Sequence, residues 1–390
     1  MNTQKFCEIF GHTPTHLFSA PGRTELSGNH TDHQRGCVLA AAINLETLAW
    51  VAENGTRVIR IQSEGYPMCE ISLDQLSVDP QERNTTASLI RGIAARFTEL
   101  GCVMSGFDAY ITSTVLPGSG LSSSAAFEVL IGTICNHLFH HCKATAVEVA
   151  QIGQYAENVY FGKPCGLMDQ TASSVGNIIG INFADPQNPL VERIDFDFSS
   201  YGYALCIIDS GADHADLTDE YAAITQELKS VCAVFGKDVL QEISEDAFYN
   251  KLSQVRSAAG DRGVLRAIHI FNENKRVLQQ IEALKNQDID TFLTLVQESG
   301  RSSWMYLQNV IPWGQTSRQE VAFALALTER LLCGRGAFRV HGGGFAGTIQ
   351  AFVPVDILND FRAGIETVLG MGKCHVLSIR PEGGILVRTF

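Results

Sequence analysis

Residues 115–126 read VLPGSGLSSSAA, with Gly118 and Gly120 followed by three consecutive serines, Ser122, Ser123 and Ser124. The segment lies between a β-rich run, GFDAYITSTVLP at 106–117, and an Ala-rich, apolar stretch from Ser122 to about His141, so the order is strand, loop, helix. Such a loop presents backbone N–H groups at the positive end of a helix dipole, and its glycines let an anion approach the backbone. Phosphate binding is expected there, with the hydroxyls free to bond phosphate oxygens or a cation. A connector with a serine N-cap would share the composition. The apolar helix that follows favours an ordered site.

Other nucleotide signatures fail. No GxxxxGK[ST] occurs. A GxGxxG does occur at Gly342, Gly344 and Gly347, but the residues after it, TIQAFVP, read as a strand where a dinucleotide fold demands a helix. What remains is a glycine-rich turn between two strands, either a tight hairpin or a second wall against bound phosphates.

Outward from the loop, residues 16–73 read as short β segments. SLIRGIAARFTEL from Ser88 predicts a helix stopped by Gly101, and a second runs from Thr145 to Phe161, ended by Gly162 and Pro164. Strands follow at NIIGINF, LVERIDFDF and YALCIIDS. The second half is helix-rich, at 219–235, 262–285, 289–299, 318–333 and about 355–369, with strands at 337–354, 374–381 and 384–390. An α+β fold of two domains is expected, 1–199 and 200–390, with the seam at FSSYG near Ser199.

Composition narrows the partners. Against 29 Lys and Arg stand 42 Asp and Glu in 390 residues, a formal charge of −13, with the basic residues scattered; nucleic acid is not expected. The 11 cysteines are odd in number and form no CxxC, which suits reduced thiols. The start, MNTQKFCEIFGHTPTH, lacks the pattern of a signal peptide, and no apolar run reaches the roughly 18 residues of a membrane span. A cytoplasmic protein without a membrane partner is expected, as a monomer or weak homodimer. His137 and His141 share a helix face, but no Glu stands between them as in HExxH; a helix C-terminus favouring His explains them better than a metal.

Two further segments carry chemistry. SAPGRTELSGNHTDHQRGCVLAAAI at 19–43 crowds Arg23, Glu25, Asn29, His30, Asp32, His33 and Arg35 into a glycine-punctuated loop suited to grasping sugar hydroxyls, or else a solvated surface loop. AENVYFGKPCGLMDQTAS at 156–173 offers Glu157 and Asp169; one carboxylate near phosphates can hold Mg²⁺ and another can accept a hydroxyl proton, although an isolated Asp is often a helix cap.

In this order the segments resemble the GHMP small-molecule kinases. PGSGLSSSAA resembles the family's phosphate loop, GGGFAGTIQAFV its C-terminal glycine motif, GRTELSGNHTDHQRG the sugar signature of its galactokinase branch, and CGLMDQ the segment carrying that branch's catalytic Asp. The resemblance implies a two-domain kinase with its site in the interdomain cleft, transferring phosphoryl from ATP, with Mg²⁺, to the anomeric hydroxyl of galactose. Asp169 would be the base and Arg23 its electrostatic partner. Ser124 and Glu157 would hold Mg²⁺. Asn29, His30, Asp32, Gly166 and Tyr221 would meet the sugar together with Arg23 and Asp169. Gly118, Ser119, Gly120, Leu121, Ser122, Ser123 and Ser124 would cradle the ATP phosphates.

One departure stands out. Where the family reads GRVNLIGEHTDY, this chain reads GRTELSGNHTDH, so Glu25 replaces Asn, Asn29 replaces Glu and His33 replaces Tyr. If Asn29 faces the sugar, the change weakens one hydrogen bond by about 1 kcal/mol and lifts repulsion against a sugar acid. The DHQ run also resembles galacturonokinases, so galacturonate or another C6-modified hexose is the alternative substrate. No Arg or Lys at position 29 is there to pair with a uronate. A catalytically silent sugar and ATP sensor is a third reading, disfavoured because Ser124, Glu157 and Asp169 are all present.

Overall fold

The computed structural model describes residues 2–115, 120–212, 217–345 and 347–390. Strands β1 (His16–Ser27), β2 (Cys37–Glu53), β3 (Val58–Ser63), β4 (Cys69–Ser72), β5 (Phe107–Ser113), β6 (Ile178–Asn182) and β7 (Leu190–Ile194) build the larger sheet. The smaller one contains β8 (Tyr203–Asp209), β9 (Ala337–Val340), β10 (Thr348–Pro354) and β11 (Cys374–Leu377), in the order β11-β8-β10-β9. The last strand, β12 (Ile385–Thr389), leaves that half and pairs antiparallel with β1. Residues 385–389 therefore extend the larger sheet although they lie at the end of the 200–390 half. β12 is drawn there because it caps the free edge of β1, whose other edge is taken by β2.

Length explains the shape of the larger sheet. β2 runs for 17 residues, pairs with β6 over Cys37–Ala41 and with β5 over Thr47–Glu53, and so forks the sheet. Helices α2 (Thr86–Glu99), α3 (Ser123–His140), α4 (Ala146–Tyr155) and α5 (Met168–Val175) pack on this half. Their starts follow local chemistry: Thr85 caps α2 at Ser88 N, and Thr145 with Glu148 forms a full capping box on α4. The other half carries α6 (Thr218–Ala233), α7 (Glu245–Asn250), α8 (Leu252–Lys285), α9 (Ile289–Ser302), α10 (Glu320–Leu332) and α11 (Leu358–Leu369). α8 starts ten residues before the periodic pattern at 262 because two helical pieces meet at Gly260, whose φ of 73° breaks the turn. α1 (Asn2–Phe10) has no counterpart in the sequence reading; buried Phe6 packs with Trp50 and Tyr110, and half-buried Phe10 joins them.

The two sheets share apolar packing. One cluster joins Leu39, Ala41 and Ile43 of β2 to Leu121 and Ala126 near the start of α3, then to Leu205, Ile207, Val277, Phe292 and Phe352 from the second half. That shared core fixes the edges along which the functional loops meet. Beyond α4 the chain widens into a π-helical turn, Ala156–Phe161, a form enriched at functional sites. Gly92 of α2 lets this turn approach, since a Cβ there would lie 2.8 Å from the Ala156 Cβ. Gly92→Val should therefore cost about 1–3 kcal/mol by overpacking, measured as a drop in the urea midpoint with an unchanged slope.

Candidate active site

The end of β1 delivers Arg23, Thr24 and Glu25, after which the chain must reverse before β2. Gly28 makes the turn with φ of 101°, and any Cβ would fall 2.7 Å from Val38 Cα. Thr31 Oγ1 donates to Gly28 O at 2.8 Å and to Cys37 O at 2.6 Å, while buried Glu273 accepts from Ser27 Oγ and Gly28 N, both at 3.2 Å. The loop bearing Asn29, His30 and Asp32 is thereby held from both sides.

The phosphate-type loop reaches the same place. Residues 116–119, and with them Gly118 and Ser119, lie outside the described residues. Gly120 packs on the second half, where its Cβ would stand 2.9 Å from Thr348 Oγ1. Leu121 is fully buried, and its carbonyl accepts from Arg23 N at 3.0 Å, so this residue is not presented to the cleft. Ser122, at the N-cap of α3, is left-handed with φ 57° and ψ 68° and makes no side-chain cap. Its Oγ instead donates to Asp169 Oδ2 at 2.8 Å. Serines usually cap; this one leaves the first amides of α3, including those of Ser123 and Ser124, for another acceptor.

Asp169 sits in the first turn of α5 and pairs with Arg23 through both oxygens, Nε to Oδ1 and Nη2 to Oδ2, each 2.7 Å. Arg23 Nη1 donates to Gly120 O. The Arg side chain is 10% exposed and the Asp side chain 31%, so the carboxylate is reachable while its partner is locked. Burial alone would raise the Asp169 pKa, but the charge and hydrogen bonds of Arg23, with that of Ser122, outweigh desolvation and hold it below the ordinary carboxylate value.

These residues line a cleft of about 230 Å³ together with Glu25, His30, Asp32, Gly166, Gly342 and Gly343. A larger cleft of about 770 Å³ between α9, α10 and β9 holds none of the candidate residues. Chemistry, rather than size, marks the site. His30, with φ of 62°, faces Gly343 O from Nε2 at 3.0 Å. Burial pulls its pKa down to about 4, so the ring is neutral, and the carbonyl partner fixes Nε2 as the donor and leaves Nδ1 an acceptor. Asp32 Oδ1 accepts from His33 N at 2.8 Å, and its Oδ2 lies where a Cβ on Gly166 would come within 2.5 Å. Glycine at 166 is what lets the two walls close up.

Two of the sugar-side candidates do not line the cleft, nor do Gly120–Ser124 and Glu157. Tyr221 lies behind the glycine turn, its hydroxyl donating to Gly344 O at 2.8 Å and its ring backing Gly343. Asn29 is 0% exposed: Nδ2 donates to Glu25 Oε1 at 3.3 Å and to Gly342 O, and Oδ1 accepts from Asn309 Nδ2 at 2.6 Å. The Asn29 amide, expected to face the sugar, is engaged inside the protein. The residue on the wall is Glu25, whose Oε1 also accepts from buried Arg339 at 2.8 Å. Sequence reasoning noted Glu25 as a departure but did not follow it; Arg339 and Asn309 gave no local signal.

Glu157, on the π turn, is 4% exposed, accepts from Gln170 Nε2 at 2.9 Å and lies 3.6 Å from Lys163 Nζ. The same Gln170 amide donates to Glu128 Oε2 at 2.9 Å. Burial, reinforced by the charge of Glu157, pushes the Glu128 pKa well above the ordinary value. Among the described residues no three His, Cys, Asp or Glu side chains gather into a metal cage.

An ionised acid locked to a cation, beside a phosphate-type helix start, is the equipment of a phosphotransferase acting on an alcohol group. Residues 4–53 match the galactokinase galactose-binding signature and residues 88–177 the GHMP kinases N terminal domain. Over these two segments the chain is similar to the GHMP kinases and to their galactokinase branch. It is similar, at 25% identity and a TM-score of 0.82, to the structure of Lactococcus lactis galactokinase complexed with galactose, with 98% of each chain covered. Methanococcus jannaschii mevalonate kinase aligns at 13% identity and a TM-score of 0.66, over 94% of this chain and 98% of that one. Streptococcus pneumoniae phosphomevalonate kinase in complex with phosphomevalonate and AMPPNP aligns at 12% and 0.63, over 92% and 99%. The last two speak to the fold alone.

Because Asn29 is buried against Glu25, Asn29→Glu should set two carboxylates side by side and cost about 2 kcal/mol or more of stability. Adding Glu25→Asn should recover most of that loss, a coupling read directly from a double-mutant cycle of denaturant midpoints.

Proposed function

We propose that this sugar kinase is ATP-dependent and phosphorylates the anomeric hydroxyl of galactose, giving galactose 1-phosphate, with Asp169 as base. The observation that carries the reading is the bond from Ser122 of the phosphate-type loop to Asp169, since it ties the nucleotide side and the alcohol side to one carboxylate. The galactokinase signature over 4–53 supports the sugar.

Phosphoryl transfer asks chiefly for position and charge neutralisation. The amides at the start of α3, with Gly120 and Ser122–Ser124, would hold the phosphates. Asp169 accepts a hydrogen bond from the attacking hydroxyl and takes its proton as the new P–O bond forms and the γ-phosphorus parts from the bridging oxygen, which leaves with ADP; no raised pKa is needed for that. Arg23 keeps Asp169 ionised and lies beside the transferring group. His30 Nδ1, Asp32 and Gly166 line the sugar side. Ser124 and Glu157 supply hard oxygens of the kind Mg²⁺ takes alongside phosphates, so this donor set suits it; when bound, Mg²⁺ would neutralise phosphate charge. Tyr221 supports the glycine turn from behind. Among the described residues no helix is long and apolar enough to cross a membrane, and we keep the cytoplasm as the expected compartment.

ADP release that depends on both galactose and Mg²⁺ is the first expectation; ADP release indifferent to sugar, or none, would favour the sensor reading. Asp169→Asn should lower kcat by about 10²–10⁴ while the Kd for ATP stays within a few-fold. Asp169 works ionised, and its pKa lies below the ordinary value near 3.9, so its limb in kcat/KM should fall below about pH 4. Arg23→Gln removes the opposing charge, burial then dominates, and that limb should move to higher pH; an unmoved limb would detach Arg23 from Asp169.

A further inference from the structure

The cleft contains a second acid that the reaction above does not use. Glu25 stands two residues beyond Arg23 on β1, is 5% exposed and lines the cleft with His30, Asp32 and Asp169. Its Oε1 accepts twice, from Arg339 Nη2 and Asn29 Nδ2. Its Oε2 has no partner among the described residues and is not among the side-chain atoms sealed from solvent without one. A carboxylate clamped by one oxygen, with the other left over at a cavity wall, is aimed at a ligand.

The surroundings say what kind of ligand. Asp32 and Asp169 add two more carboxylates to the wall, and neutral His30 presents an acceptor nitrogen. The one arginine on the wall, Arg23, is committed to Asp169 and Gly120 O. Arg339 is 1% exposed and spends its remaining donors on Val340 O and Leu26 O, both at 3.0 Å. The wall therefore offers acceptors in excess; its other basic group, His33, lies 3.8 Å from Asp32 Oδ1. Ligands that donate from several neutral hydroxyls fit; ligands that carry a carboxylate meet like charge.

Resting on the sugar-kinase reading, we infer that Glu25 is a specificity-determining residue: its free oxygen accepts a hydrogen bond from one sugar hydroxyl, and its charge excludes hexuronates. Asn29 and Arg339 are positioning residues that hold the carboxylate in place. The exchange of acid and amide between positions 25 and 29, relative to the family's pattern, moves the acidic group along the strand rather than deleting it. The uronate alternative rested on its deletion.

The test uses the intact protein with ATP, Mg²⁺, galactose, galactose deoxyfluorinated at carbon 2, 3, 4 or 6, and galacturonate. Fluorine keeps the size of a hydroxyl but cannot donate, so one analogue should lose roughly 10- to 100-fold in kcat/KM in the wild type, the range for a hydrogen bond to a charged group. Galacturonate should be rejected by about 100-fold or more. Glu25→Gln should lose a similar factor on galactose, lose little further on that one analogue, and narrow the gap to galacturonate. An equal loss on every sugar would reduce Glu25 to a structural role and overturn the inference, as would wild-type use of galacturonate on a par with galactose. If the Gln variant does not fold, the same series is run on Glu25→Asp, which keeps the charge but shortens its reach: a loss that disappears on one fluorinated analogue, with the uronate still rejected, upholds it, and an even loss on every sugar overturns it. No turnover of any sugar by the folded wild type would bring down the kinase reading itself, and this inference with it.

Discussion

The two-pronged bond between Arg23 and Asp169 is the contact around which the site is arranged. Arg23 comes from the first strand and Asp169 from the first turn of α5, 146 residues later, and the arginine's third nitrogen reaches Gly120 O on the phosphate-type loop. Three distant stretches are thus fixed by one side chain. A planar guanidinium can do this where an ammonium cannot, because its donors lie in a rigid fork. The electrostatic outcome is an acid kept charged at a place where burial would otherwise neutralise it.

That contact is possible because the two sheets share a core. Leu121 and Ala126 bury at the base of the phosphate-type loop in the same cluster as Phe292 and Phe352 of the second half. The glycine turn between β9 and β10 then closes over the cleft, with Gly342 and Gly343 on its wall and Tyr221 behind. A buried polar net continues below it: His269 Nε2 reaches Asn29 O at 3.1 Å, and Asn309 joins Asn29 to Gly343 O. The sugar side of the cleft therefore rests on groups bonded from both halves.

The sequence made the chemistry of the loops more legible than their assembly. Glycines followed by serines before an apolar helix announced an anion site, and the structure adds a detail no spacing carries: Ser122 gives its hydroxyl to Asp169 rather than to the helix. The α+β class and most helices followed from periodicity, and the rejected dinucleotide motif is indeed a turn between strands. Position 29 shows the limit. Its identity as a departure was visible, but whether it faced the sugar depended on Asn309, Gly342 and Glu25, partners up to 313 residues apart. Burial of this kind is a property of the assembled fold. The return of β12 to the first sheet was hidden for the same reason: GILVRTF reads as a strand but carries no mark of which edge it covers.

Asp169, tied to the phosphate-type loop through Ser122, is proposed to take the proton of a sugar's anomeric hydroxyl. Following [1-¹³C]galactose by NMR in the presence of ATP and Mg²⁺ tests it most directly. The account expects the C1 resonance to move and to acquire a coupling to phosphorus as ADP forms. ADP formation with C1 unchanged, or phosphorus coupled to a different carbon, would contradict it.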